Sequence, residues 1–157
     1  MTLDVVRKVA IAHGVISWVA ALALLAVTLR LFLRRPNARR LFAQAAATTA
    51  LACLSFASGA LLEAPFRTHL RQRLFLASRS LGWLFERKLH LAFGSLLFAL
   101  CALAALLAAS RAERASAPLD PIAASLARAA RFAYAASALF ALFACVASSL
   151  AAARMRF

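Results

Sequence analysis

Four long apolar runs dominate the sequence, and polar segments separate them. The runs cover approximately residues 9–33, 41–62, 89–109 and 132–153. Each has the roughly 20 residues that an α-helix needs to cross ~30 Å of hydrocarbon. The pattern predicts an all-α integral membrane protein with a single domain over residues 1–157, folded as a four-helix up-down bundle.

The segment between the second and third runs has a different, amphipathic pattern. Its apolar side chains recur every three or four residues, at Phe66, Leu70, Leu74, Ala77, Leu81 and Leu84. This spacing predicts a helix over about residues 66–85. Because the segment also carries Arg67, Arg71, Arg79 and Trp83, we expect it to lie in the headgroup layer over one end of the bundle. These four side chains are candidates for binding anionic lipid headgroups or a protein partner.

Short polar connectors predict where the other helices begin and end. Pro36 and Asn37 interrupt the basic block at 34–40 and predict a turn there. Asp120 followed by Pro121 is typical of an N-cap and first helical residue, and we expect the last helix to run unbroken to Ala153. In the second run, small residues recur at four-residue spacing, which favours close helix packing in lipid. They are Ala45, Thr49, Cys53 and Ala57, with Ser55 and Gly59 in a second row.

Composition agrees with the membrane assignment. Hydrophobic residues make up 65% of the chain, against ~45–50% in an average soluble domain. The net charge of +14 would suggest nucleic-acid binding in a soluble protein, but here the arginines cluster at the ends of apolar runs. We therefore interpret them as headgroup anchors and topology signals, and we expect no nucleic-acid partner.

The three histidines are the strongest candidates for chemistry. In an up-down bundle the first and third helices start at the same membrane face, so His13 and His90 should lie at similar depth, with His69 in the segment above them. Ionisable side chains at membrane depth are costly and usually have a partner or a task. Imidazole is also a common metal ligand. His13 and His90 could be the two axial ligands of a haem b, and Gly14 and Gly94 could leave room for the flat macrocycle.

This arrangement resembles the four-span b-type cytochromes and small uncharacterised bacterial four-span proteins that carry a histidine near the start of the first and third helices. The resemblance implies ligation of one haem by His13 and His90. The four-histidine pattern of two-haem cytochromes is absent, because the second and fourth runs contain no histidine. It also implies the cytoplasmic membrane of a bacterium as the location.

Orientation follows from the charges around the first run. Five arginines lie within the eleven residues 30–40, at and just after its end, whereas only Arg7 and Lys8 precede it, opposed by Asp4. By the positive-inside rule we expect the two termini and the 63–88 segment outside.

Two other interpretations of the histidines remain open. Zinc or copper could bind with help from His69 or Glu63, or the histidines could simply bond headgroups, water or backbone carbonyls. The chain contains no recognisable nucleophile, phosphate-loop or paired-carboxylate motif, which disfavours an enzyme. The expected function is a structural or accessory subunit of a larger membrane assembly, with a protein partner or as a homo-oligomer. The alternative is an electron-transfer bundle with one haem b.

Overall fold

The computed structural model describes residues 3–33, 38–115 and 121–155, and nearly all of them are helical. The helices are α1 (Leu3–Leu33), α2 (Ala38–Leu61), α3 (Glu63–His69), α4 (Arg71–Ala77), α5 (Arg79–Ala115) and α6 (Pro121–Met155). Four helical stretches are long and apolar enough to cross a membrane. The all-α class expected from the sequence is therefore confirmed, and the four helices have the length and hydropathy expected of membrane spans. The turn at Pro36 and Asn37 and the N-cap at Asp120 lie outside the described residues.

The last helix is continuous, as predicted, from Pro121 past Ala153 to Met155. The third apolar run behaves differently, because α5 begins at Arg79 rather than near residue 89. With 37 residues and a rise of about 1.5 Å each, α5 is roughly 55 Å long. This is much longer than ~30 Å of hydrocarbon, so its ends extend beyond the apolar part of a bilayer.

The predicted single helix over 66–85 is wrong, because the segment is divided at Leu70 and at Ser78. Ser78 has an extended backbone, with φ −164° and ψ 114°. Its Oγ accepts the N–H of Leu81 at 3.4 Å, and its carbonyl accepts the N–H of Gly82 at 2.9 Å. Serine is a favoured N-cap because its oxygen satisfies a free N–H of the first turn. Ser78 therefore ends α4 and begins α5.

The four long helices contact one another in a ring, since α1 packs on α2 and α6, and α5 packs on the same two helices. Their shared core is rich in alanine. The side chains of Ala45, Ala99, Ala102 and Ala130 are fully buried, and such small residues let helices approach closely. We call the region that contains residues 24–31, 41–52, 99–106 and 130–138 the packed half of the bundle.

Two sets of buried polar groups are paired across helices. The Tyr134 hydroxyl lies 3.1 Å from the Thr49 hydroxyl and donates to the Ala45 carbonyl at 3.3 Å. Ser95 and Ser137 bond reciprocally, because each hydroxyl donates to the other residue's carbonyl, at 2.9 and 2.8 Å. Satisfied polar pairs of this kind hold helices together in lipid.

Candidate functional site

The opposite end of the bundle contains a partly open cavity of about 540 Å³. We call it the histidine cavity. All four long helices line it, and α3 and α4 contribute Phe66, Leu70 and Leu74. We call α3 and α4 together, residues 63–77, the cover. The apolar lining includes Val6, Ala10, Ala20, Leu24, Ala52, Phe56, Phe85, Leu89, Leu96, Ala141 and Ala144.

His13 of α1 is held inside this cavity by serines. Its Nδ1 lies 2.9 Å from the Ser58 Oγ, and Ser58 donates its own hydroxyl hydrogen to the Ser55 carbonyl at 2.9 Å. The Ser58 oxygen can therefore only accept from His13, so Nδ1 carries the imidazole hydrogen when the ring is neutral. Nε2 is then left with a free lone pair. A ring nitrogen oriented in this way can accept a hydrogen bond or bind a metal.

Ser17 extends the same network. Its hydroxyl lies 2.8 Å from the Ser55 hydroxyl and 3.5 Å from the His13 Nδ1. The pairs His13 with Ser58 and Ser17 with Ser55 join α1 to α2. These hydrogen bonds form one polar part of the cavity wall, at the contact between α1 and α2.

A missing side chain on α2 makes room for the imidazole. A Cβ placed on Gly59 would lie 2.9 Å from the His13 Cε1, closer than atoms in contact can be. The row of small residues that the sequence indicated, Ser55 and Gly59, therefore packs against His13. Gly14 is different, because a Cβ there would have no atom within 4 Å, and it lines the cavity.

The structure brings His13 and His90 to the same cavity, together with Glu63. The His90 side chain is exposed, whereas His13 is half-buried. His69 is exposed and is not among the lining residues. Gly94 does not offer open space to a ligand, because the Phe140 ring of α6 lies 3.0 Å from the position of its missing Cβ.

Metal-binding groups do not cluster further. Within residues 3–33, 38–115 and 121–155, no group of three or more His, Cys, Asp or Glu side chains could hold a metal ion. A zinc or copper site that uses His69 or Glu63 therefore has no complete ligand set in the described part of the chain. A haem needs only two protein ligands, so this finding does not bear on it.

The cover is fixed to α5 by aromatic packing and one ion pair. Leu74 is buried, at 2% exposure, and the Phe66 and Phe85 rings stack with centroids 4.4 Å apart. The Phe75 ring lies directly on Gly82, where a Cβ would come within 2.7 Å of it. These contacts explain the regular spacing of the first apolar residues of the segment, because Phe66, Leu70 and Leu74 all face the bundle.

Charged side chains surround the cavity on the cover side. Arg71 of α4 pairs with Glu86 of α5, and Arg67 pairs with Glu63 at 2.6 Å. Lys88 of α5 also lines the cavity, but among the described residues it forms no ion pair. Its Nζ lies 4.4 Å from the centroid of the Phe85 ring, and His13 lines the same cavity.

The basic residues singled out for lipid or partner binding are accessible at the surface, and two of them, Arg67 and Arg71, also line the histidine cavity. Arg67, Arg71 and Arg79 are exposed, and Trp83 is 51% exposed. Arg67, Arg71 and Trp83 share a shallow groove with Gln72 and Phe75. Two of these arginines, Arg67 and Arg71, form ion pairs. The four-residue spacing of Glu63 and Arg67 indicates the first pair, but no sequence spacing indicates the pair of Arg71 with Glu86.

Sequence reasoning missed Lys88, Ser17 and Ser58 as components of the site. A signal existed for the serines, because Ser17 lies one turn after His13 and therefore on the same helix face. Lys88 gave no such signal, since a lysine beside Arg87 at the end of an apolar run is typical of a headgroup anchor.

No family model, no curated protein and no solved structure matches this chain.

Proposed function

We propose that this chain is a small integral membrane protein that binds a small, mostly apolar molecule in the histidine cavity, beneath the cover. The observation that carries this proposal is the cavity itself. Its volume of about 540 Å³ falls within the ~300–1,000 Å³ of typical ligand pockets, which are mainly apolar and have a few well-placed polar groups. Here those groups include His13, Ser17 and Ser55 between α1 and α2, together with Lys88 on the cover side.

The proposal includes an up-down order of the four spans. It is supported by the contacts between α1 and α2, where His13 pairs with Ser58 and the later Ser17 pairs with the earlier Ser55. The ring of contacts among the long helices is compatible with the same order. We further propose that the protein lies in a bacterial cytoplasmic membrane, with both termini and the cover outside, as the arginines after α1 favour.

We propose that the bound molecule serves a larger membrane assembly, in which this chain is an accessory subunit or a homo-oligomer. Large apolar side chains on α1 support an apolar environment around the bundle, since Val15, Val19 and Leu22 are all more than half exposed. Such a face contacts lipid or another transmembrane helix. The binding site then lies on the inner side of the same helix.

Filling the cavity tests the binding proposal. Gly14→Leu places a side chain where no atom lies within 4 Å, so it should occupy the cavity without disturbing helix packing. Native mass spectrometry of the detergent-purified protein should reveal a retained small molecule in the parent chain and none in Gly14→Leu.

The matched control is Ala12→Leu, two residues away on the same helix. Ala12 is exposed and does not line the cavity, so this variant should retain the molecule. Equal retention by the parent chain and by Gly14→Leu would contradict the proposal, as would a parent chain that binds nothing when extracted in mild detergent.

A second candidate is a bundle that binds one haem b for electron transfer. The observation that favours it is the orientation of His13, whose Nε2 is free while Nδ1 is bonded to Ser58. Metal-ligating histidines are usually fixed through the other ring nitrogen in this manner. His90 lines the same cavity. Gly14 fits the expected packing role, but Gly94 does not, because Phe140 fills the space beside it.

An absorption spectrum decides whether haem is bound. The purified protein should show a Soret band that sharpens with dithionite and that is lost in His13→Ala and in His90→Ala. Ser58→Ala should retain the band but shift it, because the hydrogen bond that orients the ligand is removed. A colourless preparation from haem-supplemented cells would exclude this candidate.

A further inference from the structure

The histidine cavity is lined by more basic than acidic side chains. The lining includes three basic side chains, Arg67, Arg71 and Lys88, but only two carboxylates, Glu63 and Glu86. Both carboxylates are engaged by the arginines. With the histidines neutral, one positive charge is left over, and it belongs to Lys88.

Water can hydrate the charged ammonium of Lys88 only in part. Its side chain is half-buried, and its ammonium lies over the Phe85 ring, 4.4 Å from the centroid. The Glu63 carboxylate attracts it from a distance, but that carboxylate is 2.6 Å from Arg67. A cation removed from water is costly unless an anion or several hydrogen-bond acceptors replace the solvent.

We propose that the ligand of the cavity is a single-chain amphiphile whose anionic oxygen headgroup binds Lys88 and whose apolar tail fills the space between the helices. This inference rests on the proposed binding function and specifies the class of ligand. A carboxylate or phosphate oxygen supplies the missing negative charge and forms a charge-assisted hydrogen bond with the ammonium. The tail meets the apolar walls at Leu24, Phe56 and Leu96.

The size of the cavity agrees with one chain. A water molecule occupies about 30 Å³ in the liquid, so a cavity of about 540 Å³ holds roughly 18 heavy atoms. A hexadecyl chain with a small headgroup has this size, whereas a two-chain phospholipid is much larger.

Position also agrees with an amphiphile. Lys88 lies on the cover side of the cavity, near the charged residues Glu63 and Glu86, whereas Leu24 belongs to the packed half. The site is therefore polar at the end towards the cover and apolar at the other, in the same order as a headgroup and its tail.

Tryptophan fluorescence can report binding at this site. Trp18 lines the cavity and Trp83 does not, so the Trp83→Phe background retains Trp18 as the single tryptophan of the chain. In phosphatidylcholine nanodiscs, the protein is titrated with brominated hexadecyl phosphate, brominated hexadecanoate and brominated hexadecanol. Bromine close to the indole quenches its emission, and saturable quenching gives an affinity.

In this background, Lys88→Gln should weaken binding of the phosphate and the carboxylate by about tenfold and leave hexadecanol unchanged. The matched control is Arg87→Gln, which removes the same charge from an exposed neighbour outside the cavity and should change none of the three affinities. Loss of only the phosphate or only the carboxylate identifies the headgroup.

Two outcomes would overturn separate statements. Equal affinity of the parent and Lys88→Gln for both anionic probes would reject the anionic headgroup, while the binding function would stand if Gly14→Leu abolished saturable quenching by all three probes. If Gly14→Leu left quenching by all three unchanged, the cavity would not be the binding site, and both the proposed function and the ligand class would be rejected.

Discussion

The two ends of the bundle are built from the same helices, but one end is closely packed and the other contains a cavity. In the packed half, alanines and Tyr134 are buried in the interior, and the hydroxyls of Tyr134 and Thr49 bond to each other. In the half below the cover, the helices surround a cavity that contains His13 and Lys88. The hydroxyls of Tyr134 and Thr49 in the first region are paired within the protein, whereas the second region retains, among the described residues, a free imidazole nitrogen on His13 and an ammonium without an ion pair on Lys88.

This difference separates stability from binding. Close packing of small side chains is the main attraction between helices in lipid, so the packed half should carry most of the folding free energy. A cavity removes contacts and leaves its walls less stable. A bound ligand would restore those contacts and offset the lost stability. The following substitutions test the comparison, in order of expected effect.

The largest effect is expected for Tyr134→Ala. Tyr134 is fully buried, and removing an aromatic side chain from a packed core costs about 3–5 kcal/mol. Unfolding with increasing mole fraction of SDS in mixed micelles measures the loss. Phe66→Ala is the comparison in the other half, where the ring already borders a cavity, and it should cost clearly less. Similar losses for the two variants would remove the distinction between the halves.

Gly82→Ala should detach the cover without affecting the packed half. The added Cβ would lie 2.7 Å from the Phe75 ring, so α4 must shift, at a cost of about 1–3 kcal/mol. Maleimide labelling of Cys145 measures the result, because this thiol is buried and lines the cavity. In a background with Cys53 and Cys101 replaced by alanine, labelling should accelerate in Gly82→Ala. An unchanged rate would show that Phe75 does not hold the cover.

Gly14→Ala should instead stabilise the protein. No atom lies within 4 Å of the new Cβ, and alanine is favoured over glycine in a helix by about 0.8–1.0 kcal/mol. The same SDS titration measures the gain. Gly59→Ala is the paired variant, and it should destabilise the chain because its Cβ would meet the His13 ring at 2.9 Å. Destabilisation by Gly14→Ala would indicate that the cavity is narrower than described.

Arg71→Gln should have the smallest effect. Its ion pair with Glu86 is partly exposed to solvent, and such pairs contribute about 0.2–1 kcal/mol. Labelling of Cys145 should accelerate only a few-fold, and the acceleration should be larger at low salt than at high salt, because salt already screens the ion pair in the parent chain. Arg73→Gln, an exposed arginine on the same helix that forms no ion pair among the described residues, should leave the rate unchanged.

Much of the fold could be predicted from apolar run length. The four runs contain the spans because only a helix satisfies its backbone in lipid, but the helices themselves extend further. The length of an apolar run shows which side chains are apolar, but a helix ends where its backbone hydrogen bonds end, and the run length does not predict that position. The start of α5 at Arg79 depended on the cap at Ser78, which the regular apolar stripe through residues 66–84 concealed.

The candidate site was predicted only in part. Sequence reasoning placed His13 and His90 at one end because helices that start on the same face share a depth. It could not show that Phe140 packs on Gly94, since the neighbour of α5 is decided by packing of the whole bundle. Nor could it show that Lys88 lines the cavity while Arg87 faces outward, because the two basic residues are adjacent in the sequence and only the rotation of the helix distinguishes them.

The reciprocal pair of Ser95 and Ser137 limits how the bundle can deform. Sliding α5 along α6 by one residue, about 1.5 Å, would break both hydrogen bonds where lipid offers no replacement. Splaying the two helices apart at one end only bends them about this point and leaves the bonds intact. Entry of a guest molecule should therefore widen the bundle like a wedge, without a change of register between its helices.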